Sequence, residues 1–264
     1  MKMTIPMAVA VASLRDRCSE AEWQSRVDLA ACYRLTELYG LTDLAANHIS
    51  VRVPGEPGTF LINPHGVLYE EICASSLIKI DHQGNVLTMP DFHGATYGVN
   101  RAGFLIHGAI HEARPDVGCV MHTHTWTGMA VSTLECGLLP ITQTAMRFAD
   151  IGYHAFQGVV LDEAEKASLA HDLGQASTLV LRNHGLLAVG ATVAETFNTM
   201  VRLELACKSQ LAAMACGTPL HTVDAAVIAA THTEFLPTTR RPFGVMEWPA
   251  MLRKLDRIDP SYRQ

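Results

Sequence analysis

The order of strand-like and helix-like segments is the feature that most limits how this chain can fold. Strand-like runs first come in neighbouring pairs separated by turn residues, and later they stand between helices. The pairs are residues 48–53 with 59–62, around two Pro-Gly turns, and residues 77–81 with 85–88, around Gln83-Gly84. The later runs are residues 119–124, 178–182 and 186–189. This order predicts hairpins and then an α/β sheet with helical layers, and it does not fit a regular βαβ series.

Two capping-box patterns mark the starts of long helices. Ser19-Glu-Ala-Glu22 precedes a predicted helix over residues 23–39, and Thr192-Val-Ala-Glu195 opens one that runs to about Cys216. Further helices are predicted over residues 100–113, 163–173 and 248–258. Because we find no linker, repeat or low-complexity segment, we expect an N-terminal tail, residues 1–18, followed by one domain, residues 19–264.

Composition excludes several classes of partner. The 264 residues are 48% hydrophobic and 17% charged, which is enough for a large core, and the net charge is −6 with scattered basic residues. We therefore expect neither nucleic-acid binding nor a membrane partner, since no stretch nears the roughly 20 apolar residues of a spanning helix. Seven cysteines without a CxxC pair predict reduced thiols and a cytoplasmic location. A signal peptide is the less favoured interpretation of the segment from Met1 to Leu14.

The run Val120-Met-His122-Thr-His124 carries the first chemical signal. Side chains alternate along a strand, so His122 and His124 project to the same face and can hold one metal ion together. The alternative is a hydrogen-bonded pair of strand histidines. A metal site needs a further ligand, and His184 is the best candidate because it follows a buried strand and precedes Gly185.

Three segments resemble the class II aldolase/adducin family. They are Asn100-Arg-Ala-Gly-Phe through His122-Thr-His124, Leu181-Arg-Asn-His184-Gly, and the stretch from Ile62 to Lys79. The resemblance implies an α/β fold, a three-layer α/β/α sandwich on a mixed, largely antiparallel sheet. It also implies one divalent metal ion per subunit on His122, His124 and His184, with zinc as the first choice and iron or manganese as alternatives. Members of the family are commonly homotetramers with sites near subunit interfaces.

One departure from the family pattern concerns its acid/base carboxylate. The sugar-phosphate aldolases have a Ser-Ser-Glu segment whose glutamate lies four residues before a helix histidine that matches His107. Here that segment reads Arg101-Ala102-Gly103, and a second phosphate-binding loop with Thr-Gly reads His65-Gly66. Glycine cannot transfer a proton, and general acid/base catalysis contributes roughly 10²–10⁴-fold in rate. The usual sugar-phosphate aldolase reaction is therefore not expected.

Other residues are candidates for the missing proton transfer. His65 and His48 lie in loops that border the active site in the family, and an imidazole titrates near neutral pH. Tyr153 is a third candidate, on the segment between the metal ligands. The alternative for each is structural: a loop histidine, a histidine at a strand start, and a packing tyrosine. His107 and His111 are expected to support the site or the helix.

Three residues are candidates for substrate binding. Asn47 stands where the aldolases have a Gly-Asn pair that contacts substrate, Gly66 lies in the altered phosphate loop, and Arg182 can bind a carboxylate through two hydrogen bonds. Arg182 can equally pair with a structural acid.

Three functions from different classes fit these residues. The first is a metal-dependent lyase or isomerase that acts on a small keto or hydroxy compound. The second is a non-heme iron oxygenase on the same fold, because three histidines leave coordination positions open. The third is a non-enzymatic interaction module like the head domain of adducin. We place them in that order because the full set of three histidines is kept.

Overall fold

The computed structural model describes residues 8–158, 163–239 and 242–264. In this part of the chain, eight strands form one sheet in the order β4-β3-β2-β1-β5-β8-β7-β6. Every neighbouring pair is antiparallel except β6 and β7, which are parallel. The strands are β1 His48–Arg52, β2 Thr59–Ile62, β3 Ile78–Asp81, β4 Val86–Thr88, β5 Cys119–Thr123, β6 Gly152–His154, β7 Thr178–Leu181 and β8 Gly185–Gly190.

Helices cover both faces of this sheet. One layer contains α1 and α6, which pack on each other and on the central strands, and the other contains α2 and α5. The α-helices are α1 Glu20–Leu38, α2 Arg101–Ala113, α3 Trp126–Ser132, α4 Gln143–Met146, α5 Glu163–Leu173, α6 Val193–Ala215, α7 Ala225–Phe235 and α8 Trp248–Ile258. The predicted three-layer α/β/α sandwich with a mixed, largely antiparallel sheet is therefore confirmed.

The alternation of side chains along β5 divides the core in two. Cys119 and Met121 belong to the apolar cluster under α1 and α6, whereas Val120 belongs to the cluster under α2 and α5. Because both clusters are buried, a shift of one residue along β5 would place polar side chains in the cluster under α1 and α6. This register fixes the face to which His122 points: it is the face that α2 covers.

Most predicted elements occur where the sequence places them. Ser19 and Thr192 cap α1 and α6, since each side chain accepts a hydrogen bond from the backbone N–H three residues later. The strand β6 was not predicted, because its three residues are held by pairing with β7 rather than by a local pattern. The helices α3, α4 and α7 were not predicted either, and α7 has no buried residue that could give it an apolar stripe.

The described part of the predicted tail, residues 8–18, lies against the domain. The side chain of Leu14 is buried, its N–H donates to Ser75 Oγ (3.2 Å), and Val9 N donates to the Glu71 carbonyl (3.0 Å). The boundary at residue 18 stays a prediction. Among the helices described, none has the length and apolar character to cross a membrane.

Candidate metal centre

The three predicted ligands lie together at one end of the adjacent strands β5 and β8. His122 lies in β5, His124 follows that strand, and His184 lies in the turn between β7 and β8. Asn183 bends this turn with a left-handed backbone (φ 56°), and His184 N donates to the Leu181 carbonyl (3.1 Å). Gly185 permits the close approach of the strands, because a Cβ there would lie 2.4 Å from the Thr123 carbonyl oxygen.

The Nε2 atoms of the three histidines converge on one point. They are separated by 2.8 Å (His122 to His124), 3.0 Å (His124 to His184) and 3.3 Å (His122 to His184). Nitrogens about 2.0–2.1 Å from a shared ion lie about 3.3–3.4 Å apart in a tetrahedral site and about 2.8–3.0 Å apart in an octahedral one. The donor set therefore has the separations that a divalent metal ion requires.

Hydrogen bonds on the far side of two of the rings determine which nitrogen carries the proton. Nδ1 of His122 lies 2.9 Å from the Leu186 carbonyl oxygen, which can only accept, so Nδ1 donates and Nε2 keeps its lone pair. Nδ1 of His124 faces Asp43 Oδ2 at 3.2 Å with the same consequence. His122 Nε2 and His124 Nε2 then face each other with a lone pair each. Two lone pairs cannot form a hydrogen bond, whereas a cation between them would stabilise the contact.

Burial keeps two of the ligand imidazoles, His122 and His184, neutral. Desolvation holds the pKa of His122 well below its usual range, with a further contribution from the neighbouring His48. Desolvation also lowers the pKa of His184 to about 4, helped by the positive charge that His124 would carry. Neutral imidazoles have the lone pairs that a metal needs, so both rings are ready to bind an ion at neutral pH.

His48 lies beside these ligands because its strand is in register with theirs. In the antiparallel β1–β5 pair, His48 is directly opposite His122, and the two ring centroids are 5.0 Å apart. A Cβ on Gly103 would lie 2.7 Å from His48 Cδ2 and 2.9 Å from its Cγ. The imidazole of His48 thus occupies the space that a side chain at position 103 would need, so a strand histidine stands where the sugar-phosphate aldolases have a helix glutamate.

A loop before β1 supports both the ligands and His48. Asp43, which holds His124, donates its own backbone N–H to Asn47 Oδ1 (2.5 Å). Asn47 Nδ2 is buried and has no hydrogen-bond partner among the described residues. An unpaired amide donor is compatible with a substrate contact, and the substrate-binding role of Asn47 stays a prediction. Asp43 was not predicted, since a lone acid in a loop has no distinguishing spacing.

The other predicted loop residues are more distant from the ligands. His65 and Gly66 form an exposed turn in which Gly66 has φ 93° and His65 N donates to the Gly98 carbonyl (2.8 Å). Desolvation holds the pKa of His48 well below its usual range, and a charge on His65 would make a further, smaller contribution. The catalytic role of His65 and the binding role of Gly66 stay predictions.

Tyr153 and Arg182 contact each other rather than the three Nε2 atoms. The guanidinium carbon of Arg182 lies 4.3 Å from the Tyr153 ring centroid, and Arg182 Nη1 donates to the Leu134 carbonyl (2.6 Å). The Tyr153 hydroxyl accepts the N–H of Leu138 (2.9 Å). In this conformation both side chains hold the loop after α3. Their proposed catalytic and substrate-binding roles stay predictions.

A buried glutamate on α6 anchors the chain directly after His124. Glu204 accepts hydrogen bonds from the hydroxyls of Thr125 and Thr127, and Thr125 Oγ1 accepts the N–H of Gly128 (3.1 Å). Burial raises the pKa of Glu204. This residue is not among the predicted site residues, although a charged side chain on the apolar face of α6 is a signal for it.

The fold and the site together define a class: an α/β/α domain with a three-histidine centre at the ends of two antiparallel strands. Residues 27–211 match the Class II Aldolase and Adducin N-terminal domain. The chain belongs to the class II aldolase/adducin family.

Three relatives show the range of this family. A protein of Pseudomonas aeruginosa that carries the name of a candidate class 2 aldolase is 45% identical over 257 residues, covering 96% of this chain and 97% of its own. Mouse alpha-adducin is 43% identical over 220 residues, which are 81% of this chain but only 30% of the adducin. The structure of L-fuculose 1-phosphate aldolase from Glaciozyma antarctica has a TM-score of 0.80 and 29% identity, covering 93% of both chains.

Proposed function

We propose that this protein is a metal-dependent lyase or isomerase that acts on a small keto or hydroxy compound without a phosphate group. The observation that carries the proposal is the convergence of three imidazoles, two of them with their lone pairs held toward each other, next to His48. The names of the aldolase relatives support the same class of reaction.

The proposed chemistry is proton transfer at carbon or oxygen next to a carbonyl. His122, His124 and His184 would hold the divalent ion, which would supply Lewis acidity toward a carbonyl or hydroxyl group of the substrate. His48 takes the role of the missing glutamate, because its ring fills the space beside Gly103 and faces the ligands. Its Nδ1 is bonded to His107, which leaves Nε2 as the ring nitrogen that can exchange a proton with substrate.

The residues around the site favour an unphosphorylated substrate. Two hydroxyls that help to hold phosphate in the sugar-phosphate aldolases are replaced by Arg101 and Ala102, and the second phosphate loop reads His65-Gly66. Within the described part of the chain, Asn47 Nδ2 is a buried donor without a partner, and Arg182 adjoins the turn of His184. Both can orient a carbonyl or carboxylate oxygen of a small molecule.

We further propose one zinc ion per subunit, with iron or manganese as alternatives, in a cytoplasmic homotetramer. Three nitrogen ligands with an open position are typical of catalytic zinc. The side chains of Trp126 and Phe156 support an assembly, since they are 69% and 55% exposed and adjoin His124 and His184 respectively. Large exposed aromatic residues beside a site are typical of a surface that another subunit covers.

The first test measures the metal. Unstripped protein analysed by mass spectrometry should contain about one divalent ion per subunit. His122→Ala should lose it, and His171→Ala is the matched control because the side chain of His171 is 87% exposed and contacts Asp172 instead. Protein that neither contains a divalent ion nor takes one up on titration would overturn the proposal.

The second test measures proton exchange. Hydroxyacetone, dihydroxyacetone and pyruvate are incubated with metal-loaded protein in D₂O, and loss of their C–H signals is followed by NMR. We expect exchange with at least one of them and none with His122→Ala. A strong preference for dihydroxyacetone phosphate would contradict the unphosphorylated substrate. Oxygen uptake by Fe(II)-loaded protein that depends on an added organic acid would favour the oxygenase instead.

The similarity to alpha-adducin favours an interaction module as the second candidate. In that case the three histidines would be dispensable for the biological activity. Complementation of a deletion strain by the His122→Ala variant distinguishes the two: restored growth supports the interaction module, and failure to restore it supports the metalloenzyme.

A further inference from the structure

A continuous row of hydrogen-bonding side chains leads from His48 away from the metal ligands. His48 Nδ1 lies 2.8 Å from His107 Nε2, and His107 Nδ1 lies 2.6 Å from Ser50 Oγ. Ser50 Oγ in turn lies 2.9 Å from His111 Nε2. These four residues, His48, His107, Ser50 and His111, form the relay row. They alternate between β1 and α2, since His48 and Ser50 share one face of the strand and His107 and His111 share one face of the helix.

The relay row is buried and its far end is incomplete. The exposed fraction of each of its four residues is between 0% and 3%. Among the described residues, no atom meets the geometry of a hydrogen bond to His111 Nδ1, although the ring also has an interaction with the backbone of Val117. Desolvation and the nearby Arg52 charge lower the pKa of His111 to about 3, so this ring is neutral at physiological pH. A buried ring nitrogen without a partner costs stability, and a native structure keeps such an atom only where it is compensated or used.

Every partner inside the relay row can either donate or accept a hydrogen bond, so the row has two complete polarities. In the first, each proton points away from the ligands: His48 Nδ1 donates to His107, His107 Nδ1 to Ser50, and Ser50 to His111. His48 Nε2 then carries a lone pair and can act as a base. In the second, every bond is reversed, and His48 Nε2 carries a proton and can act as an acid. All three rings are neutral in both polarities.

We propose that the relay row is a proton conduit that resets His48 between its base and acid forms. This inference rests on the proposed function, because it takes His48 as the group that exchanges a proton with substrate. His107, Ser50 and His111 do not touch the substrate in this scheme. They are positioning residues that set the protonated nitrogen of His48.

The proton balance of one passage is closed. A substrate C–H or O–H bond breaks and an N–H bond forms at His48 Nε2, while the proton on His48 Nδ1 passes to His107 Nε2. The proton of His107 Nδ1 passes to Ser50 Oγ, and the Ser50 hydroxyl proton passes to His111 Nε2. His111 releases its Nδ1 proton to bulk water. Return of a proton by the same path regenerates the first polarity, and no redox partner is required.

The exit from His111 lies toward the hairpin turn that follows β3. The rings of His111 and His82 both lie against Phe60, with centroid distances of 5.2 Å and 6.0 Å. His82 Nδ1 is a second buried nitrogen without a partner among the described residues, whereas the residue as a whole is half-buried. Two such nitrogens at one aromatic ring mark the place where a water molecule can join the row to solvent.

The test uses histidine-selective ¹⁵N NMR on the zinc-loaded full chain, which reads the protonated nitrogen of each ring without any substrate. In the wild type we expect averaged shifts for both nitrogens of His48 and His107, since two polarities interconvert. In Ser50→Ala the two nitrogen shifts of each ring should separate, because a single tautomer remains. Ser50→Thr, which keeps the hydroxyl, should restore the averaged shifts. Fixed shifts for His48 and His107 in the wild type, unchanged by Ser50→Ala, would overturn the proposal.

A matched serine guards against an effect of misfolding. Ser76 is equally buried, and its hydroxyl also makes two hydrogen bonds, to the N–H and the carbonyl of Cys73. Ser76→Ala should leave the histidine shifts unchanged. In the D₂O exchange assay, Ser50→Ala should slow exchange at least about tenfold and Ser76→Ala should not. Averaged shifts without any substrate exchange would contradict the proposed function and leave the conduit supported, so the two failures are distinguishable.

Discussion

Two sets of three histidines differ in what their second nitrogen contacts: the ligand set, His122, His124 and His184, and the relay set, which is the three histidines of the relay row, His48, His107 and His111. In the ligand set, Nδ1 of His122 and of His124 faces an oxygen that can only accept. In the relay set, His107 faces His48 on one side and Ser50 on the other, and both can donate or accept. A fixed acceptor selects one tautomer and makes a ligand, whereas an ambivalent partner leaves the tautomer free and makes a proton carrier.

The largest effect should come from removing the proton carrier while keeping the ligands. His48→Gln should lower the rate of substrate proton exchange about 10²–10⁴-fold, because an amide cannot cycle a proton. The zinc content should stay at the wild-type value, since His48 is no ligand in this scheme. Exchange rate and metal content are measured on the same preparation. A variant that loses its zinc would show that the two sets of histidines are not separate.

The next effect should come from making the fixed acceptor ambivalent. In Asp43→Asn, the amide that faces His124 Nδ1 can donate or accept a hydrogen bond. The tautomer with a lone pair on Nε2 is then no longer the only one favoured, so zinc affinity should fall about 10–100-fold. Competition with a chelator dye measures it. Asp150→Asn is the matched control, because Asp150 is similarly exposed and faces His232 at 3.8 Å, away from the site. Equal affinities for the two variants would contradict the role of Asp43.

A third prediction compares two glycines on α2. Gly108→Ala should stabilise the protein by up to about 1 kcal/mol, the usual gain in a helix, because its Cβ would meet only the His82 carbonyl at 3.4 Å. Gly103→Ala should instead destabilise by about 1–3 kcal/mol, because its Cβ would lie 2.7 Å from His48 Cδ2. Urea unfolding of both variants decides it. Stabilisation by Gly103→Ala would show that His48 can leave its place freely.

The last prediction concerns the pH dependence of stability. The unfolded chain protonates His111 near pH 6.5, whereas the folded protein holds its pKa at about 3, so acid favours unfolding between these values. His111 alone should lower the free energy of unfolding by about 1.4 kcal/mol for each pH unit in that window. In metal-free protein, urea unfolding gives the free energy of unfolding at each pH, and its slope against pH should decrease by this amount in His111→Gln. The slope should not change in His171→Gln, because that position is exposed. An unchanged slope would mean that His111 is not buried as a neutral ring.

The ligand set was predictable from the sequence to a large extent, and the relay set was not. The period of two in His122-Thr-His124 places both rings on one face, and the turn at His184 supplies the third nitrogen. His48 and Ser50 repeat that period, and His107 and His111 show the helical period of four. Neither pattern states which strand meets which helix. That requires the β1–β5 register and the position of α2, which depend on long-range packing.

The glycine at position 103, where the sugar-phosphate aldolases have a glutamate, shows the same limit of prediction from sequence. The sequence predicts the loss of a carboxylate, but only the structure shows that the His48 ring fills the space. Asp43 and Glu204 were missed for a related reason. Each acts through a side chain that approaches the His124 segment from a distant part of the chain, at separations of 81 residues for Asp43 and His124 and 79 for Glu204 and Thr125.

The turn at Asn183 has a consequence for the folding of the chain. His124 and His184 are 60 residues apart, and they meet only once β5 and β8 have paired. A bound ion would therefore act as a cross-link that closes this loop and would stabilise the native state by mass action, by about 4 kcal/mol at a free metal concentration of a thousand times Kd. Under the proposed metal binding, metal supply would then set not only how active the protein is but also how long it lasts in the cell.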